Sequence, residues 1–197
     1  MSSQVYDAAI CLAKYFEFQY AKPLGYKRSS LEGKRVIELG AGPGIVGLLA
    51  SYYGASSVLT DLESLLPLLE YNCEKNRENL TGPVRAEALH WGLSTAKLQP
   101  PPDFLILANC VYYQSSLESL YETLVELSGE STTILACYEL RCVEIERLVE
   151  RWHQLISPHF DFEFVDQDTV LTAAGARYAH SYVRVAILKL KASTSTT

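Results

Sequence analysis

The stretch "RVIELGAGPGIVGLLASYYGASSVLTDLES", residues 35 to 64, constrains the fold more than any other part of the chain. Val36, Ile37 and Leu39 form an apolar β-type run that stops at Gly40, Gly42 and Gly44. Helical spacing follows over residues 45 to 53, and a second β-type run over 57 to 60 ends at Asp61. Glycines between a strand and a helix let a ligand approach the backbone and the helix N-terminus, which makes this half of a Rossmann-like nucleotide site. The cofactor stays open at this level. "GPGIVG" satisfies the dinucleotide pattern G-x-G-x-x-G. Asp61 can accept from ribose hydroxyls in NAD or in any other adenosine cofactor, or can cap the next helix.

The rest of the chain repeats this alternation. Val5, Ala8, Ala9, Leu12, Tyr15 and Phe16 have helical spacing, which predicts a helix over about 5 to 21 before the turn-rich "KPLGYKRSSLEGK". A helix is predicted over 64 to 79, a third strand over 84 to 88 and a fourth over 103 to 108. Ser115 and Glu118 read as a capping box for "SLESLYETLVELSG", with Gly129 as its stop. "STTILACYEL" reads as a fifth strand. "VEIERLVERWHQLI" reads as an amphipathic crossover helix, with Val143, Ile145, Leu148, Val149, Trp152, Leu155 and Ile156 on one side. "HFDFEFVD" and "YAHSYVRVAILKL" are strand-like runs expected to pair as an antiparallel hairpin across a loop without helical pattern. The predicted fold is therefore α/β: a Rossmann-like, seven-stranded, mostly parallel sheet with a C-terminal antiparallel hairpin and helices on both faces. One domain over 1–191 and a frayed tail over 192–197 are expected.

A net charge of −6, without clustered Lys and Arg, argues against a broad nucleic-acid footprint and favours a basic protein segment as partner. The five cysteines form no C-x-x-C pair and lie mostly in apolar patterns, as reduced core thiols of a cytosolic or nuclear protein do. No apolar run reaches the roughly 18 residues of a membrane span, and "MSSQVYDAAICLAKYF" has no basic leader, so neither membrane insertion nor export is expected. The four scattered histidines and the absence of H-E-x-x-H or G-x-S-x-G offer neither a metal site nor a nucleophile.

Three further features separate the cofactors. A carboxylate at Glu38 is costly beside a pyrophosphate but suits the sulfonium and ammonium of S-adenosylmethionine; a salt bridge to a loop cation is the alternative. Trp91, after the third strand, can pack on an adenine or belong to the core. Asn109 and Tyr112, after the fourth strand, can orient a substrate, and the rings of Tyr112 and Tyr113 offer a cation about 0.5–2 kcal/mol. Tyr113 can equally fill space beneath the following helix.

"YDAAICLAKYFE", "VIELGAGPGIVGLLA", "LTDLE", "HWG", "PPDFLILANCVYY" and "CYELR", in this order, resemble the seven-β-strand protein-lysine methyltransferases. "PPDF…A-x-C-x-YY", "CYE-x-R" and "DFDFE" point to the branch that methylates valosin-containing protein, an AAA-type ATPase, rather than to Hsp70-modifying relatives. The resemblance implies methyl transfer from S-adenosylmethionine to a lysine of such an ATPase or chaperone; a monomer is expected. It implies that Gly40, Ala41 and Gly42 contact the cofactor, Asp61 binds the ribose, Trp91 lies by the adenine and Ala108 closes that pocket. Tyr6 takes the place of a cofactor-contacting Trp. Where the family has D-x-x-Y for the substrate lysine, this chain has Asn109-Cys110-Val111-Tyr112, one negative charge fewer. A diverged cofactor-binding module with little transferase activity is the alternative, and an NAD-dependent oxidoreductase ranks last because no hydride-transfer site is found.

Overall fold

Period-two alternation on the first strand decides where the other layers pack. A computed structural model describes residues 4–192. In β1 (Arg35–Leu39), Val36 points to a core shared with α1 (Asp7–Phe16) and α2 (Ile45–Tyr52). Ile37 and Leu39 point to the opposite core, built with α4 (Leu117–Leu127) and α5 (Val143–Ile156). α3 (Leu66–Asn76) sets Leu69 and Cys73 against Leu59 of β2 (Ser56–Asp61), in contact with Leu48 of α2.

The sheet is completed by β3 (Val84–Ala88), β4 (Phe104–Ala108), β5 (Thr133–Glu139), β6 (Phe160–Phe164) and β7 (Val183–Leu190). Its order is β3-β2-β1-β4-β5-β7-β6. β1 to β5 run parallel, and β7 pairs antiparallel with both β5 and β6. Central strands such as β4, "FLILA", are covered on both faces and so are apolar throughout, whereas the edge strand β6 buries only Phe160.

The predicted sheet is thus the observed one, and the differences lie in the connections. The helix expected over 5 to 21 ends as an α-helix at Phe16 and continues as a π-helical turn (Glu17–Ala21) and a 3-10 turn (Lys22–Leu24), stopped by Gly25 at φ +76°. The π turn carries Tyr20, whose ring packs on Phe104 at 4.7 Å. The helix expected over 64 to 79 is flanked by 3-10 turns at Glu63–Leu65 and Arg77–Asn79, and Pro67 opens its α-helical part. The connection from β3 to β4 holds only a 3-10 turn (Ala96–Leu98) and no α-helix.

The Ser115–Glu118 capping box does not form. α4 is entered through a 3-10 turn with Ser116 at the cap position, and the Ser116 hydroxyl donates to the Tyr113 carbonyl instead of capping the helix. The helix ends at Leu127, ahead of Gly129, because Ser128 is already extended. Val143 does not join the buried side of α5: as the first residue of the helix it is 54% exposed.

The connection expected to be a loop between the last two strands is a helix, α6 (Gln167–Ala174). Asp166 caps it by accepting the Thr169 N–H at 2.8 Å, and Val170 and Ala174 are buried in the α1 core. Apart from Ala192, the expected frayed tail lies outside the described residues.

Candidate active site

The strand order reverses between β1 and β4, so the crevice beyond their carboxyl ends is the topological switch point of the sheet. Every sequence-derived site residue lies on the segments that border it. Gly40, Gly42 and Gly44 all have positive φ, at +57°, +52° and +84°, and each is needed for a different reason. A Cβ on Gly42 would meet nothing within 4 Å, so here the backbone faces open space. On Gly40 it would stand 3.1 Å from Trp91 Cζ2 and 3.2 Å from Cys110 Sγ. On Gly44 it would press on Leu59 and Leu69 at 2.7 and 2.8 Å.

Asp61 anchors this loop. Its Oδ2 accepts the Gly42 N–H at 2.8 Å and its Oδ1 accepts the Leu62 N–H at 2.7 Å. Each oxygen keeps acceptor capacity for a hydroxyl. Between the glycines, the Ala41 N–H donates to the Thr60 carbonyl at 2.9 Å, which ties the loop to β2 a second time.

Glu38 points from β1 into the α2 layer, where its Oε2 accepts the Gly47 N–H at 2.8 Å. The N-cap residue of α2 is Gly44, which has no side chain to cap with, so Glu38 satisfies the helix N-terminus from beneath. The carboxyl is 1% exposed, and burial pushes its pKa up to about 7 against the pull of the Gly47 and Val46 N–H groups. No cation pairs with it among the described residues, so the salt-bridge alternative is not realised. It stands below the loop, and its charge, like that of Asp61, raises the pKa of the buried Cys110 thiol.

Trp91 belongs to the core and also reaches the glycine loop. Its indole packs against the α4-side core and also walls the crevice at Gly40. The Gly92 N–H holds its loop to α4 through Thr123 Oγ1 at 2.9 Å. After β4, Ala108 faces the α1 layer, and Asn109 turns the chain out of the sheet at φ +58° while its N–H donates to the Cys137 carbonyl at 2.8 Å. Asn tolerates this left-handed conformation better than most residues, a backbone reason for its presence. Cys110 then donates its thiol to the Leu39 carbonyl at 3.1 Å and closes β1 against β4. Nothing in the sequence marks that contact, because it depends on strands distant in sequence becoming neighbours.

Tyr112 is 48% exposed, its ring 4.6 Å from that of Tyr113. Burial, with the charges of Cys110, Asp61, Tyr113 and Tyr6 adding to it, raises its phenol pKa. Tyr113 is 64% exposed and does not fill space beneath α4. Among the described residues no group of three or more His, Cys, Asp or Glu side chains could hold a metal ion, and no helix is long and apolar enough to cross a membrane.

The donor set fits an adenosine bearing positive charge: an open glycine backbone, a carboxylate with free acceptor capacity, an indole wall, and two acidic groups, Glu38 and Asp61, at the loop. A pyrophosphate would meet those same carboxylates.

Residues 1–154 match the family model described as lysine methyltransferase. The chain is 37% identical over 141 residues to EEF1A lysine methyltransferase 3 of Xenopus tropicalis, an overlap covering 72% of this chain and 59% of that protein. It is 33% identical over 169 residues to the Mus musculus protein of the same name, covering 85% and 68%. It is 32% identical over 167 residues to Protein N-lysine methyltransferase METTL21A of Danio rerio, covering 82% and 72%. The chain thus spans under two thirds of the frog relative's length and slightly more of the other two.

In fold it resembles a TehB-like SAM-dependent methyltransferase from Corynebacterium glutamicum, with TM-score 0.60 and 14% identity over 95% of this chain and 89% of that one. It also resembles a ribosomal protein L11 methylase from Lactobacillus delbrueckii subsp. bulgaricus, with TM-score 0.59 and 14% identity over 93% and 78%. The chain belongs to the lysine methyltransferase family, whose methyl donor, S-adenosylmethionine, suits the crevice its residues build.

Proposed function

We propose that the protein transfers a methyl group from S-adenosylmethionine to the ε-amine of a lysine in a protein substrate. The observation that supports this reading is that the turn after β4, opened by Asn109 at φ +58°, is held against the glycine loop: the Cys110 thiol donates to the Leu39 carbonyl at 3.1 Å, and a Cβ on Gly40 would stand 3.2 Å from Cys110 Sγ. Gly40, Ala41 and Gly42 would pass under the cofactor, Asp61 would take the ribose, and Trp91 and Ala108 would border the base, with Tyr6 closing the near side. When bound, the cofactor supplies a methyl made electrophilic by its sulfonium.

The chain's own task is alignment and delivery of a neutral amine. A free lysine titrates at about 10.4, so the site must promote loss of its proton, by desolvation or by a hydrogen-bond acceptor. The Asn109 side-chain carbonyl and the Tyr112 oxygen then accept from the amine and fix its lone pair. The raised pKa of Tyr112 keeps the phenol protonated, so it orients the amine as a hydroxyl and not as a phenolate base.

For the substrate we favour an AAA-type ATPase resembling valosin-containing protein, on the strength of "PPDF", "CYELR" and "DFDFE". Two relatives are named for EEF1A, which makes EEF1A the competing substrate. The buried thiols Cys11, Cys73, Cys110 and Cys137 favour a reducing compartment, cytosol or nucleus. Asn109 favours a second reading, a binding module that transfers poorly.

Tritiated S-adenosylmethionine, offered with purified valosin-containing protein, EEF1A and an Hsp70, tests these readings together. Label on a lysine of the ATPase is expected, and label on EEF1A alone transfers the substrate assignment there. Asn109→Asp is expected to raise affinity for the lysine substrate by restoring a negative charge. If the wild type binds cofactor without labelling any of the three while Asn109→Asp labels one, the binding-module reading takes over.

A further inference from the structure

"CYELR", residues 137 to 141, has no role in the methyl transfer proposed above. Its Glu139 ends β5 with the carboxylate enclosed, the residue only 3% exposed. Oε1 accepts the Ala8 N–H at 2.8 Å. Ala8 lies in the first turn of α1, and the N-cap residue Tyr6 contributes no side-chain hydrogen bond. β5 therefore supplies the anion that the α1 N-terminus lacks.

Oε2 accepts no hydrogen bond and meets the Arg141 guanidinium as an ion pair. That guanidinium, on a half-exposed side chain, lies 5.6 Å from the centroid of the Tyr6 ring, within cation–π range. A second tie, Asp7 to His180 at 3.4 Å, holds the same helix end to the segment before β7. One buried carboxylate thus fixes both the backbone beneath Tyr6 and the cation over its ring.

We propose that Glu139 and Arg141 are positioning residues for the methyl donor, holding the Tyr6 ring in place at the N-terminus of α1 so that donor affinity depends on the guanidinium–ring contact. This rests on the methyl-donor reading. A surface arginine that merely neutralises Glu139 would leave donor affinity indifferent to Arg141, whereas a strap made of Arg141 and Tyr6 loses its function when either part is removed.

Calorimetric titration of the full chain with S-adenosylhomocysteine separates the two. Tyr6→Ala and Arg141→Met are each expected to weaken binding about three- to tenfold, and the double variant no further than the weaker single one. Arg141→Lys, which keeps a cation over the ring, restores most of the affinity. Glu139→Gln, which keeps an oxygen for the Ala8 N–H but releases the guanidinium, reproduces the Arg141→Met loss. Wild-type affinity in Arg141→Met, or losses that multiply in the double variant, overturns the positioning role while the methyl-donor reading stands. Failure of the wild type to bind S-adenosylhomocysteine overturns both.

Discussion

Glu38 and His153 are buried groups pushed in opposite directions, and together they shape the pH dependence of stability. The Glu38 carboxyl titrates at about 7 in the fold against an ordinary 4.5. The folded state therefore holds an extra proton between those values, and stability falls as pH rises from about 4.5 through 7. His153 is 8% exposed, stacked on Phe162 at 4.1 Å, and burial lowers its pKa to about 4 from 6.5. The unfolded chain holds the extra proton there, so stability rises from about pH 4 through 6.5. Each effect is on the order of 3 kcal/mol, and between pH 4.5 and 6.5 they offset one another. Melting temperatures across this window should be nearly level in the wild type, rise with pH in Glu38→Gln and fall with pH in His153→Asn; parallel profiles in all three would refute the assignment.

Gly47 belongs to the same residue-level design. A Cβ there would stand 1.8 Å from Leu59 Cδ2 and 3.0 Å from Glu38 Oε2. Gly47→Ala should cost about 1–3 kcal/mol in urea unfolding, since β2 and the capping carboxylate must both give way. The spacing of Gly42, Gly44, Gly47 and Asp61 was legible because sequence neighbours build that loop. The capping role of Glu38 and the Cys110 bridge were not, because each needs a strand or helix that the chain delivers from elsewhere.

At the scale of elements, α6 shows where periodicity loses its power. "QDTVLTAA" is only eight residues, two of them buried, too short for an apolar stripe to stand out. The helix is held by tertiary packing, Val170 and Ala174 lying against the core of α1. Val170→Ala should therefore cost about 2 kcal/mol and speed amide exchange in α1 as well as α6. A cost within about 0.5 kcal/mol, as for a surface change, would mean that α6 only borders the core. The strands and α5 were legible by contrast, since covered strands read as unbroken apolar runs and α5 repeats its apolar side over fourteen residues. The capping box at Ser115 failed because its local pattern competes with the 3-10 turn that Tyr113 and Ser116 close.

For the whole molecule, the order β3-β2-β1-β4-β5-β7-β6 admits either a dinucleotide or a methyl donor at its switch point. Electrostatics decides between them. Asp61 serves the ribose of either, so the choice falls on Glu38: beneath the glycine loop, with no lysine or arginine paired to it among the described residues and a pKa of about 7, its ionised form would turn negative charge toward a pyrophosphate. A ligand present at a hundred times its dissociation constant adds about 2.7 kcal/mol of stability. For a domain of this size that is a rise of roughly 5–10 °C in melting temperature. S-adenosylhomocysteine should produce that rise and NAD should not. Asp61→Ala should abolish it, because the variant loses the ribose acceptor and releases the Gly42 backbone together. Raising the pH from 6 to 8 ionises more Glu38 and should widen the preference for the positively charged S-adenosylmethionine over its neutral-sulfur product, whereas equal shifts at both pH values would show that Glu38 serves only to cap α2.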